Sequence, residues 1–234
     1  MPKHRQPSTH RKASISEQQD DAFVASAMAF SQWANKNRRL LVFIGIGAVL
    51  LIVSGVEIVT SQRSLAIQAV NDLEVIHQTI SLSAFEDAKV QLNAYLERFE
   101  GHEKADEALV MLGRLHLESG DPAVAINVLE RGGLSLNDGL GVQGNSLLAR
   151  AYEDQGRWSD AESLYLEIAD RAKLAFQVRD ALSSAARIRH QQNDIVGALE
   201  IYELILDDFE SDDMGRGIYE LRFSEMREVL GGAQ

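Results

Sequence analysis

Cysteine is absent from the 234 residues. That removes disulfide scaffolds, thiolate metal centres and cysteine nucleophiles, and it is compatible with an oxidising compartment. With 3 prolines, Pro-rich linkers and collagen-like folds are excluded. Aromatic residues make up 6%, and no β-branched residues alternate in runs, so the composition leans all-helical. Hydrophobic residues at 45% and charged residues at 25% are globular values, against both wholesale disorder and a polytopic membrane protein. The length suits one domain with an appendage. A net charge of −12 argues against nucleic-acid binding, which needs clustered Lys and Arg.

The charge is unevenly placed. Residues 1–39 hold seven basic and three acidic side chains, a balance of +4, whereas the remaining 195 carry sixteen basic and thirty-two acidic, a balance of −16. Between them Leu40–Val56 is a run of seventeen uncharged residues, roughly 26 Å as a helix. Continuation to Thr60 gives roughly 31 Å, enough for a hydrocarbon core of about 30 Å. The run lacks the polar stripe of a soluble core helix. A cleaved signal peptide fits poorly with 39 preceding residues. The expectation is one uncleaved anchor over 40–60, with Lys36, Arg38 and Arg39 at its cytoplasmic end and the acidic part in the periplasm of an inner-membrane protein.

Residues 1–20 read as a disordered basic cytoplasmic tail. Residues 21–39 read as a juxtamembrane amphipathic helix, with Phe23, Ala27, Phe30 and Ala34 at helical spacing and Trp33 beside the basic cluster. Two placements are open: on the headgroup layer, or prolonging the span.

Residues 61–234 carry a repeat. Four segments align on Ala88, Ala125, Ala161 and Ala198, at spacings of 37, 36 and 37. Four residues on stand Leu92, Leu129, Tyr165 and Tyr202; seven on stand Tyr95, Gly132, Ile168 and Ile205. This is one apolar helix face, with Gly132 the exception. Five residues before each Ala stand Ser83, Gly120, Gly156 and Asn193, read as left-handed turn positions. Twelve before stand Ile76, Gly113, Ala149 and Ala186, three of them small. Each unit is thus helix, turn, helix, with close approach at the crossing. Ser64–Ile80 reads as the first helix of the first unit. Asp212–Leu230 reads as a capping helix, apolar through Ile218, Leu221, Phe223, Met226, Val229 and Leu230. Gly132–Gly144 reads as a loop.

The stretches LGRLHLESGDPAVAINVL (112–129) and LARAYEDQGRWSDAESLY (148–165) resemble the tetratricopeptide repeat. The resemblance covers residues 69–210, with a period longer than the usual 34. It implies an all-α solenoid of about four degenerate TPR-like hairpins plus a capping helix, after one transmembrane helix. The layout, with Asp20–Val24 and Trp33–Arg39 before the span, is similar to the YfgM-like group of single-span bacterial proteins, which includes an ancillary SecYEG translocon subunit. That similarity implies protein partners: translocon subunits, periplasmic chaperones or client segments. An envelope scaffold for secretion, division or outer-membrane assembly is the alternative.

No catalytic, cofactor or metal-site pattern emerges. The six His lack i, i+4 pairing, and no phosphate loop or G-x-S-x-G is present. Neither catalysis nor a small-molecule substrate is expected. One constellation stands out. Arg114, Arg150 and Arg187 fall eleven residues before the aligned Ala of three successive units. In a tetratricopeptide solenoid that position faces the concave groove, where Arg could hold carboxylates or peptide carbonyls. Val110, Leu117, Ser146, Glu153, Ser183 and His190 flank the candidate groove. The alternative for the arginines is local pairing with Glu107, Glu118 or Glu153.

Overall fold

The computed structural model describes residues 25–26, 28–31, 33–209 and 215–232. The tail of residues 1–20, the Asp20–Val24 segment, Phe23, Ala27 and Asp212–Met214 lie outside them. The chain divides into two compact units, Met1–Arg63 and Ser64–Gln234. Among the described residues every regular element is a helix: α1 Arg38–Ser81, α2 Phe85–Arg98, α3 Ala105–Glu118, α4 Pro122–Gly132, α5 Gly139–Asp154, α6 Trp158–Arg171, α7 Ala175–Gln191, α8 Ile195–Asp207 and α9 Arg216–Gly232.

In the first unit, residues 33–36 are helical. Helical hydrogen bonding continues past Asn37, whose N–H donates to Trp33 O at 3.0 Å while its carbonyl accepts from Leu41 N at 3.0 Å. α1 is the one helix among the described residues that is long and apolar enough to cross a membrane, and none of its most apolar stretch is buried.

The second unit is built from helical pairs: residues 64–81 of α1 with α2, then α3–α4, α5–α6 and α7–α8, closed by α9. The four turns share one construction. Ser83 (φ 59°), Gly120 (78°), Gly156 (72°) and Asn193 (66°) are left-handed, as the alignment predicts. At Gly120 the N–H donates to Leu117 O at 3.0 Å and the next N–H, of Asp121, to His116 O at 2.8 Å. The same two bonds recur at Ser83, Gly156 and Asn193. This double bond satisfies helix-end carbonyls and reverses the chain within three residues.

The aligned alanines Ala88, Ala125, Ala161 and Ala198 are all fully buried. A Cβ added at Gly113 would lie 2.6 Å from Leu129 side-chain carbons, so the α3–α4 pair touches there with no room to spare. The core forms three clusters along the stack. Leu73, Ile76, Leu92, Tyr95 and Leu112 fill one end, Ile126, Leu129 and Leu148 the middle, and Ile168, Leu182, Ile188 and Ile205 the other.

One sequence expectation is corrected. Gly132–Gly144 is not all loop, because α5 begins at Gly139. The glycines answer to packing: a Cβ at Gly144 would meet Leu134 at 2.1 Å and Val110 at 3.0 Å, and one at Gly141 would strike the Ser135 carbonyl. Asp138 caps α5 by accepting from Gly141 N at 2.8 Å, which offsets the low helix propensity of its glycine-rich first turns. In α9, Met226 is the one buried residue among those whose burial is described. Phe223 and Tyr219 pack against the core, while Ile218, Leu221 and Val229 are exposed.

Left-handed backbone costs an L-residue about 1–2 kcal/mol. Gly156→Ala is therefore expected to destabilise the chain by about 1 kcal/mol, and Ser83→Gly, which relieves the same strain, to stabilise it by a similar amount. Urea denaturation followed by circular dichroism measures both signs.

Candidate functional site

The first helices of the third and fourth pairs, α5 and α7, frame an open groove of about 380 Å³. Gln143, Ser146, Leu147 and Arg150 line it from α5 and Phe176, Gln177, Asp180 and Ser184 from α7, with Tyr165 of α6 between. Arg150 is exposed and makes no ion pair with any described residue. Phe176 is 63% exposed, which leaves a large aromatic face uncovered in the same groove. A cation, an aromatic face and a set of hydroxyl and amide groups together suit a polypeptide strand, binding its carboxylate, an apolar side chain and its backbone amides respectively.

The three arginines diverge. Arg187 forms a two-pronged bond to Glu153, Nη1 to Oε2 at 2.6 Å and Nη2 to Oε1 at 2.8 Å. The Glu153 side chain is 9% exposed and also accepts from the Tyr165 hydroxyl at 2.8 Å. This is the local pairing considered from the sequence, and it ties α7 to α5 and α6. Arg114 is half-buried and, like Arg150, has no ion pair among the described residues.

The flanking residues separate as well. Val110 is 2% exposed and lies under Gly144, so it offers no wall to a ligand. Glu153 is buried in its triad, and Leu117 packs partly buried against the middle core cluster. Ser146 lines the groove and its hydroxyl donates back to Val142 O at 2.8 Å. Ser183 is half-buried and His190 exposed, neither among the groove-lining residues. The sequence reasoning passed over Gln143, Leu147, Phe176, Gln177, Asp180 and Ser184. A signal existed for three of them. Gln143 and Leu147 lie seven and three residues before Arg150, and Asp180 seven before Arg187, on the same helical faces.

Electrostatics holds the triad together. Burial first, then the Glu153 carboxylate, raises the Tyr165 phenol well above the ordinary tyrosine value, and the bond from Glu153 raises the Arg187 guanidinium. Tyr152 joins α5 to α4 by donating to Glu130 Oε1 at 2.6 Å, with Arg157 over its ring at 4.2 Å. Burial, then Glu130, pushes it up to about 12. No group of His, Asp or Glu able to hold a metal ion occurs among the described residues.

The tetratricopeptide repeat family matches residues 146–174, which run from inside α5 through α6 and include Arg150, Glu153 and Tyr165. The nearly identical TPR-like repeats of a candidate kinesin light chain from Podosopora anserina superpose with a TM-score of 0.57 at 15% identity, covering 69% of this chain and 86% of that one. A tetratricopeptide repeat protein from Parabacteroides merdae superposes with a TM-score of 0.57 at 14% identity, covering 69% of this chain and 60% of that one. The fold resembles a tetratricopeptide-repeat solenoid. No curated protein matches the chain in sequence. At these identities the likeness is one of fold, and solenoids of this kind present extended concave binding surfaces.

Removing Arg187 alone strands a buried carboxylate. Arg187→Met is expected to cost about 1–3 kcal/mol, and the double variant with Glu153→Leu to recover most of it, read by urea denaturation. The raised Tyr165 and Tyr152 phenols stay protonated in the fold where the unfolded chain would ionise. Their contribution is complete below about pH 10 and is lost as pH rises toward the folded values. Thermal melts above pH 10 are expected to fall less steeply for Tyr165→Phe than for the unmodified chain.

Proposed function

We propose that the chain is a membrane-anchored protein-interaction module whose α5–α7 groove binds extended polypeptide segments. The carrying observation is that Arg150, without an ion pair among the described residues, and the exposed Phe176 line one groove together with hydroxyl and amide side chains and Asp180. The repeat match and the solenoid neighbours support a protein partner. The chain acts by holding, without catalysis, cofactor or small-molecule substrate.

Leu40–Thr60 is the anchor. The basic residues before it place the N-terminus in the cytoplasm and residues 61–234 in the periplasm. Tethering raises the local concentration of the groove beside partners in the same membrane. The similarity of the layout to the YfgM-like group points to translocon subunits, periplasmic chaperones or their clients as occupants. The second reading, an envelope scaffold, draws on the apolar surface that α9 leaves exposed.

Two measurements test this. Protease added to spheroplasts is expected to digest residues 61–234 and spare the tail; a protected C-terminal part would contradict the anchor orientation. Crosslinking in intact membranes followed by mass spectrometry is expected to recover partner polypeptides, with yield reduced at least tenfold by Arg150→Glu. Arg150 holds no ion-pair partner among the described residues, so this reversal spares the fold, whereas reversal of Arg187 would disrupt the triad. Undiminished crosslinking of Arg150→Glu would refute the groove.

A further inference from the structure

The closing helix α9 has two apolar faces where packing uses one. Tyr219, Phe223 and Met226 turn to the core. At 100° per residue, Ile218, Leu221, Glu225 and Val229 line a second stripe, directed well away from the first. Ile218 is 65% exposed, Leu221 58% and Val229 47%. Glu220, Ser224 and Arg227, all exposed, give α9 a polar face, and the apolar stripe is carried in addition to it.

The stripe is self-complementary. An antiparallel two-fold arrangement centred level with Phe223 and Ser224 sets Ile218 against Val229 of a second copy, and Val229 against that copy's Ile218. It also sets Arg222 against Glu225 of the second copy, twice by symmetry. Within one chain Arg222 Nη1 already lies 3.0 Å from Glu225 Oε2, with side chains 57% and 42% exposed. Both charges are therefore at the surface, where this pairing within the helix can be exchanged for bridges to a second copy. Leu221 adds apolar contact within the seam. The parallel arrangement would bring like charges together instead. We infer that α9 is a homodimerisation surface, with antiparallel α9 helices of two copies closing each other's exposed stripe. One helix face per copy is at the small end of stable interfaces. The dimer is accordingly weak in free solution and is strengthened where copies are concentrated.

The full chain in detergent, followed by analytical ultracentrifugation, tests the inference. A reversible dimer is expected, weakened at least tenfold by Leu221→Asp. Arg222→Glu and Glu225→Arg are each expected to weaken it at least tenfold, because each sets like charges across the axis. An equimolar mixture of these two variants restores opposite charges at both crossings and is expected to dimerise as the unmodified chain does. Circular dichroism of each variant confirms folding. A monomeric unmodified chain, single reversals that leave association unchanged, or folded variants that do not associate on mixing would each overturn the proposal. None of these outcomes depends on Arg150, so the groove and the dimer stand or fall separately.

Discussion

Close approach of two helices at a small side chain is the constraint from which this structure follows. Ala88, Ala125, Ala161 and Ala198 are fully buried because the partner helix passes directly over them, and Gly113 has no space even for a methyl group. Such proximity lets large neighbours such as Leu92, Leu129 and Ile168 bury completely, each contributing about 1.5–3 kcal/mol. It also demands a chain reversal within three residues, which only a left-handed turn with doubled hydrogen bonding supplies. Spacing, turn and crossing are therefore one requirement expressed at three positions of each repeat.

That coupling explains what the sequence made legible. A left-handed residue five before a buried Ala recurs four times, and even the substituents Ser83 and Asn193 take the conformation, because four positions testify to the same geometry. The glycines of 139–144 misled because the same residue serves two purposes. Between helices it marks a turn, but at Gly141 and Gly144 it admits the neighbouring backbone and Leu134 into a helix. The exposed half of α9 was illegible for another reason: an apolar stripe in sequence says that something covers it, not that the cover lies within the same chain.

The arginine row shows where periodicity stops informing. Arg114, Arg150 and Arg187 hold equivalent places in the repeat. Their electrostatic fates depend on what the adjacent unit supplies, and only the third unit places a buried carboxylate, Glu153, within reach of the next arginine. That pair is structural cement between helices, reinforced by Tyr165. Arg150 makes no ion pair among the described residues, in a groove that it shares with the exposed ring of Phe176 and the carboxylate of Asp180. The proposed binding role thus rests on an interaction that the chain leaves unmade.

Photo-crosslinking from single positions tests that claim most directly. A photoreactive side chain in place of Phe176, in the groove, is predicted to capture other polypeptides in intact membranes. One in place of Asn127, on the second helix of a pair and away from the groove, is predicted to capture few. Equal capture from both positions, or none from position 176, would contradict the account.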